Sequence, residues 1–375
     1  MALRKLTCRT VPLKLCINVP RSLLVAVWRG LPLINFLRCA VIRVLMESLT
    51  PRQTQFVMPS TGEVYEKWIT MKQIHARTHH DAVLASRLVY DIEALPDGAS
   101  WLMWIGDRTR AKKTVLFLHG GGYLLPLDPG QLEWCLQAYV RAGQDIGVEV
   151  AVAVLHYTLC PEGQYPVQLC QAADALGHIL DSGTEPRDII IGGDSCGGNL
   201  TVALLCHILH PHPAARRIEV SQPLAAAFTV SPWLSKRETG RAFDENRHLD
   251  MVSSKIVHQS FTLTLRGSRH VAEEREGKGW AMPIDVDDAW FIGMSNVVGQ
   301  LYVTVGKNEV LRDEGIQLAE SMLKRNPDME IRLEVREKEA HDFILLEGQI
   351  CHMGNAMKAM KAWMLGVLSK STSKT

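Results

Sequence analysis

From about residue 88 the chain alternates short apolar runs rich in β-branched residues with longer stretches of helical period. The runs Leu88–Ile92, Trp101–Ile105, Thr114–Leu118, Val148–Leu155, Asp188–Ile191, Leu224–Val230, Leu301–Val305 and Glu330–Val335 read as strands. Several of them, such as Val148–Leu155, are almost unbroken apolar sequence. Strands covered by helices on both faces look that way, and their sheets are mostly parallel. Helical period falls between them, at about 129–143, 166–181, 197–210, 313–325 and 352–368. The alternation predicts an α/β fold, a mostly parallel eight-stranded sheet with helices on both faces.

Two stretches depart from this rhythm. Between Ser235 and Asp288 the chain turns polar and charged, too long for a simple strand-to-strand crossover. Long insertions of that kind have structure of their own or act as lids, so a helical cap is expected over about 235–290. The other stretch is the N-terminus. Residues 1–46 carry eight Lys/Arg and no acid, and between the charges lie apolar runs such as Ser22–Trp28 and Gly30–Leu37. This reads as a basic apolar arm, residues 1–50, preceding an α/β domain of 51–375. A pair of helices broken at Pro20 and Pro32 is expected, packed as the second half of the cap or touching a membrane surface peripherally. No window holds roughly 18 uninterrupted apolar residues, so a spanning helix is not expected.

Composition narrows the function. Beyond the arm, residues 47–375 carry 33 basic and 40 acidic residues, a net of −7, and the whole chain is at +1. No global basic field suits nucleic acid, so no nucleic-acid partner is expected. Nine cysteines include no C-x-x-C pair, which argues against a disulfide framework or a zinc ribbon. Free thiols and the absence of a clean secretory signal point to an intracellular protein, in the cytoplasm or at the cytoplasmic face of a membrane. His207, His210 and His212 cluster at a helix end closed by Pro211 and Pro213, a structural arrangement rather than a metal site. No G-x-G-x-x-G follows a strand, so a dinucleotide site is not expected.

The chemistry concentrates at strand ends. Gly193-Asp194-Ser195-Cys196-Gly197 follows a strand and opens an apolar helix. A serine in such a strand–turn–helix setting stands clear of the sheet edge as a nucleophile. His119-Gly120-Gly121-Gly122-Tyr123 also follows a strand, and its bare backbone amides suit an oxyanion hole. Gly120 or Gly121, Gly122 and the amide of Cys196 are the candidate donors, with His119 orienting the loop. His341, just past the last strand, is the candidate base; Glu309 and Asp313, past the preceding one, are the candidate acids. The order Ser, acid, His then defines acyl transfer by a serine nucleophile. Such a base must be neutral, so activity should fall as the pH drops through about 6–7.

These motifs resemble the hormone-sensitive-lipase-like branch of the α/β-hydrolases, over roughly residues 85–368. His156-Tyr157-Thr158-Leu159-Cys160-Pro161-Glu162 and Ser231-Pro232-Trp233 are similar to further strings of that branch. Within it the chain looks most like fungal esterases, steryl-acetyl-hydrolase-like enzymes and hydrolases of secondary-metabolite pathways. The resemblance implies an α/β-hydrolase fold and cofactor-free hydrolysis of a carboxylic ester of an apolar small molecule. It places the acid at Glu309 and leaves Asp313 as the alternative. Cys160 and Cys196 stand where relatives usually carry alanine. Release of a thioester-bound polyketide through the same acyl-enzyme, and a non-catalytic receptor on the same fold, are the other readings carried forward.

Overall fold

A computed structural model describes residues 2–372. Five helices precede the sheet: α1 (Ala2–Trp28), α2 (Leu33–Ser48), α3 (Pro51–Val57), α4 (Thr61–Thr78) and α5 (Ala82–Arg87). Helix α1 runs unbroken through Pro12 and Pro20, so the expected break at Pro20 does not occur. The chain instead reverses at Gly30, which takes φ 65°, and at Pro32 before α2. Ser22 and Ala26 are buried on the inner side of α1, and packing on α2 carries the helix past its prolines. Its stretch Val11–Trp28 is long and apolar enough to cross a membrane, despite Lys14 and Arg21. Helices α3 and α4 went unread in the sequence, although each opens with a capping box, Thr50 with Gln53 and Ser60 with Glu63.

Eight strands form one sheet in the order β1-β2-β4-β3-β5-β6-β7-β8. They are β1 (Ile92–Ala94), β2 (Trp101–Ile105), β3 (Lys113–Leu118), β4 (Val150–His156), β5 (Ile189–Asp194), β6 (Ala226–Val230), β7 (Gln300–Gly306) and β8 (Glu330–Arg336). From β4 to β8 every pairing is parallel, while β1 and β2 join antiparallel at one edge. The strand expected at Leu88–Ile92 begins at Ile92. The apolar signal before it belongs to Leu88, the buried C-cap of α5, and Asp91 N–H donates to the Tyr65 hydroxyl rather than to a ladder.

Alternate residues of each central strand feed two cores, as the pleat requires. Val115, Phe117, Ile190 and Phe228 pack beneath α4, α5, α6 (Pro129–Cys135), the π-turn and α7 (Arg141–Asp145) that extend α6, and α15 (Asn355–Thr372). Leu116, Leu118, Ile189 and Ile191 pack against α8 (Val167–Asp181), α9 (Cys196–Leu209) and α13 (Arg312–Arg325) on the other face. Between β6 and β7 lie α10 (Arg241–Asn246), α11 (Ser254–Leu265) and α12 (His270–Arg275). Helix α14 (Phe343–Gln349) follows β8 after the short loop that carries His341 and was not foreseen. The exposed edge strand β8 alternates Glu330, Arg332, Glu334 and Arg336, charges that discourage pairing with another chain.

Phe228 is fully buried on β6 amid Phe117, Trp134, Tyr139 and Trp363. Phe228→Ala should destabilise the domain by about 3–5 kcal/mol. Chemical denaturation checks this, and a cost below about 1 kcal/mol would show that the aromatic cluster does not hold this face together.

Candidate active site

The site sits at the carboxyl ends of β3, β5, β6, β7 and β8, where five loops converge. Ser195 ends β5 and begins α9 at φ 51°, ψ −118°, a strained conformation for a residue with a side chain. The turn closes only because Gly193 and Gly197 lack a Cβ; either one would run into the Leu118 carbonyl. Ser195 N–H donates to Val230 O at 2.9 Å, which pins the turn to β6. Four of the six non-glycine residues with positive φ among the described residues, Tyr123, Ser195, Ser231 and Asp342, lie in these loops.

His341 Nε2 is 3.0 Å from Ser195 Oγ, and both residues are buried. Serine and base therefore meet as their strand-end positions suggested. Three carboxylates surround the imidazole. Asp250 accepts from the His341 N–H at 3.2 Å and from the Val310 N–H at 2.6 Å, so it ties the histidine loop to the acid loop. Asp342 places Oδ2 3.3 Å from His341 Nε2, beside the serine. Glu309 is fully buried and its Oε2 accepts from the Ser231 hydroxyl at 2.6 Å. Glu309 Oε1 and His341 Nδ1 are both buried without a hydrogen-bond partner, and they are the atoms that an acid–base bond would join. Asp313 is far less suited: it accepts from Ala242 N–H at 2.9 Å, pairs with Arg312 and is half exposed.

Electrostatics follow from this crowding. Burial alone would lower the pKa of His341, but Asp342, Asp250 and Glu309 outweigh it and raise it to about 10. Burial pushes Glu309 up to about 8, while the charge of His341 pulls the other way. Asp250 is likewise raised by burial, against His341 and its backbone donors. Neither Asp250 nor Asp342 was singled out from the sequence. Asp250 lies inside the illegible insertion, and Asp342 was visible only as the neighbour of His341.

The glycine loop divides its work. Gly120 N–H is taken by Asp194 Oδ1 at 3.0 Å, which corrects its assignment as an oxyanion donor. A Cβ at Gly120 would strike the same carboxylate, so this glycine clamps the loop to the nucleophile strand. Gln131 completes the clamp by donating to Asp194 Oδ2 at 2.6 Å. Gly121, at φ 112°, and Gly122, at φ 63°, line the cavity with Ser195. Their amides and that of Cys196, at the start of α9, make no hydrogen bond among the described residues and suit a developing oxyanion. His119 is buried and neutral, its pKa driven down to about 3 by burial, and its Nδ1 lies 2.7 Å from Gly120 O. The Cys196 thiol accepts from Tyr123 N–H at 3.1 Å, and burial raises it to about 12, so it is no competing nucleophile. His207, His210 and His212 each serve a different structural partner, Arg216 O, Trp290 O and Glu273.

A cavity of about 480 Å³ opens onto Ser195 and His341. Its walls are mostly apolar, with Ile42, Leu45 and Met46 from α2, Val57 from α3, and Ile256 and Val257 from α11. The arm and the insertion between β6 and β7 thus face each other across one chamber.

Residues 115–345 match the family described as alpha/beta hydrolase fold. Among characterised relatives, an acetyl-hydrolase of Streptomyces hygroscopicus is 29% identical over 223 residues, 59% of this chain and 65% of its own length. Arylacetamide deacetylase of Oryctolagus cuniculus is 24% identical over 262 residues, 55% of this chain and 62% of its own. The chain therefore spans just under two thirds of the length of these two relatives. A solved esterase of the bacterial hormone-sensitive lipase family superposes with a TM-score of 0.57 at 25% identity, covering 82% of this chain and 99% of that one. A fungal esterase of Rhizomucor miehei superposes with a TM-score of 0.61 at 16% identity, covering 76% and 84%, a likeness of fold.

Two expectations follow from the site. Glu309→Gln should lower kcat by on the order of 10²- to 10⁴-fold, while Asp313→Asn should leave it nearly unchanged. The reverse ranking in steady-state assays, with both variants folded, would move the acid to Asp313. The second concerns pH. A raised imidazole pKa means that, as the pH falls, protonation removes the neutral base sooner, so the acid limb of kcat/KM should lie above the 6–7 expected of an ordinary histidine. Asp342→Asn removes the largest raising influence, so it should shift that limb to lower pH. A pH profile that is identical in wild type and variant would refute the role given to Asp342.

Proposed function

The chain belongs to the α/β-hydrolase fold family, and on that premise we propose that it is a serine hydrolase cleaving a carboxylic ester of an apolar small molecule. The observation that carries this reading is the contact of Ser195 Oγ with His341 Nε2 at 3.0 Å, at the floor of an apolar cavity beside three free amides. The names of the relatives, an acetyl-hydrolase and an arylacetamide deacetylase, support hydrolytic deacylation.

The chemistry follows from the geometry. His341 takes the Ser195 proton as Oγ attacks the ester carbonyl. Charge on the carbonyl oxygen is met by the amides of Gly121, Gly122 and Cys196, already oriented before the reaction begins. The imidazolium, held by its surrounding carboxylates, returns the proton to the departing alcohol. Water, activated by the same imidazole, then releases the acid from the acyl-enzyme. Nothing in the arrangement favours thioesters over esters.

Purified protein should therefore hydrolyse p-nitrophenyl esters, and Ser195→Ala should lower kcat by on the order of 10³- to 10⁶-fold. Each buried methylene is worth about 0.8 kcal/mol, so kcat/KM should rise about fourfold per added acyl methylene until the cavity fills. Full activity in the serine variant would sink the reading, as would a strict preference for thioesters over matched oxygen esters.

A further inference from the structure

We infer that the outer face of α1, continued by Phe56 of α3, lies in the surface of a lipid bilayer and feeds apolar esters from it into the cavity. The first observation is an uncovered helix face. Leu13, Ile17, Leu24, Val27 and Trp28 recur at helical spacing along one side of α1, all exposed, with Leu24 at 71% and Trp28 at 82%. Ser22 and Ala26 are buried on the opposite side. A stripe of large apolar side chains on a helix already packed against its own domain has no role in that domain's core.

The second observation is where this face leads. Lys14 Nζ donates to Ser48 Oγ at 3.1 Å, which sets the Leu13–Ile17 turn of α1 beside the C-terminal end of α2. That end carries Leu45, which is exposed and also lines the cavity. Val57 of α3 has the same double character, and its neighbour Phe56 is 90% exposed. The lip of the chamber thus lies beside the Leu13–Ile17 end of the apolar stripe. An ester too apolar for water could pass from lipid to Ser195 without leaving an apolar surface.

The third observation is charge. Residues 1–46 hold no acid. Arg29, Arg38 and Arg43 turn inward, donating to Asn246 and Asn308, to Leu346 O, and to Arg247 O and Asp250 O. Lys14 and Arg21 instead flank the apolar stripe, and exposed Arg52 lies on the same short helix as Phe56. Cations bordering an apolar face are the arrangement of a helix lying in the plane of an anionic interface. Those same two cations sit within the Val11–Trp28 stretch and disfavour burying it across the bilayer core.

Docking does not depend on the esterase reading; delivery of substrate does. The full-length protein is floated with phosphatidylcholine vesicles, with and without phosphatidylserine, and is assayed on a water-soluble short ester and on a long-chain ester dissolved in the vesicles. Wild type should float, more strongly with phosphatidylserine and less in high salt. Leu24→Glu combined with Trp28→Glu should lower the bound fraction by roughly tenfold or more. Turnover of the vesicle-held ester should fall with it, while turnover of the soluble ester stays unchanged and reports an intact fold. Wild type that stays with the soluble fraction, or a double variant that floats equally well, overturns the proposal. Retention through alkaline carbonate would mean that α1 spans the bilayer, and a lipid-free dimer dissociated by the same substitutions would mean that a second copy covers the face; either result also overturns it. Flotation without hydrolysis of any ester would leave docking standing and remove the esterase reading instead.

Discussion

Three buried carboxylates crowd around one buried imidazole, and the remainder of the site is arranged around that burden. Removing an ion from water costs on the order of several kcal/mol even after relaxation, so each carboxylate has to be matched by donors. Asp250 is matched by two backbone amides from different loops. Glu309 takes the hydroxyl of Ser231, whose oxygen in turn accepts from the Asp342 N–H at 3.2 Å. Ser231, at φ 48°, thereby links the ends of β6, β7 and β8 through a single side chain. The imidazole answers all three carboxylates at once. Its proton is consequently held more tightly than in free histidine, by the same charges that crowd the cluster.

The strain at Ser195 belongs to the same economy of space. A serine at positive φ is kept there by the bond to Val230 O and by the close approach of the Leu118 carbonyl, which excludes any side chain at positions 193 and 197. Asp194, one residue earlier, is buried with its carboxylate raised well above the usual range by burial and by Asp342, and it spends its two oxygens on Gly120 and Gln131. Nucleophile turn and glycine loop are therefore one unit. Gly120 gives up its amide to hold that unit together, which leaves Gly121 and Gly122 facing the cavity.

Legibility in the sequence tracked how locally each feature is determined. Strands β2 to β7 were readable because apolar runs buried on both faces have few alternatives, β8 because its apolar and charged residues alternate, and Ser195, Gly121, Gly122 and His341 because strand ends fix where such residues project. Gly120 was misassigned because its amide partner lies 74 residues away in sequence, on Asp194. Asp250 was invisible for a similar reason: its partners, Val310 and His341, lie 60 and 91 residues on. Pro20 suggested a break because propensity judges a helix alone, whereas α1 is held by α2. The capping boxes of α3 and α4 were a legible signal that the alternation of strands and helices drew attention away from.

The arm shows why composition alone could not place those charges. Eight cations without an acid suggested one electrostatic surface, yet the fold sorts them by position. Arg29 reaches Asn308, next to Glu309, and Asn246, whose side chain also donates to Glu309 O at 2.9 Å. Arg43 holds the carbonyls of Arg247 and Asp250, the latter belonging to the residue that fixes His341. These two guanidiniums brace the loops of Glu309 and Asp250 from outside, while α2 supplies a wall of the chamber beside them. Arm, insertion and acid loop are thus mechanically one support. A segment that reads in sequence as an appendage is, in the folded chain, part of the frame that holds Glu309 and His341 in place.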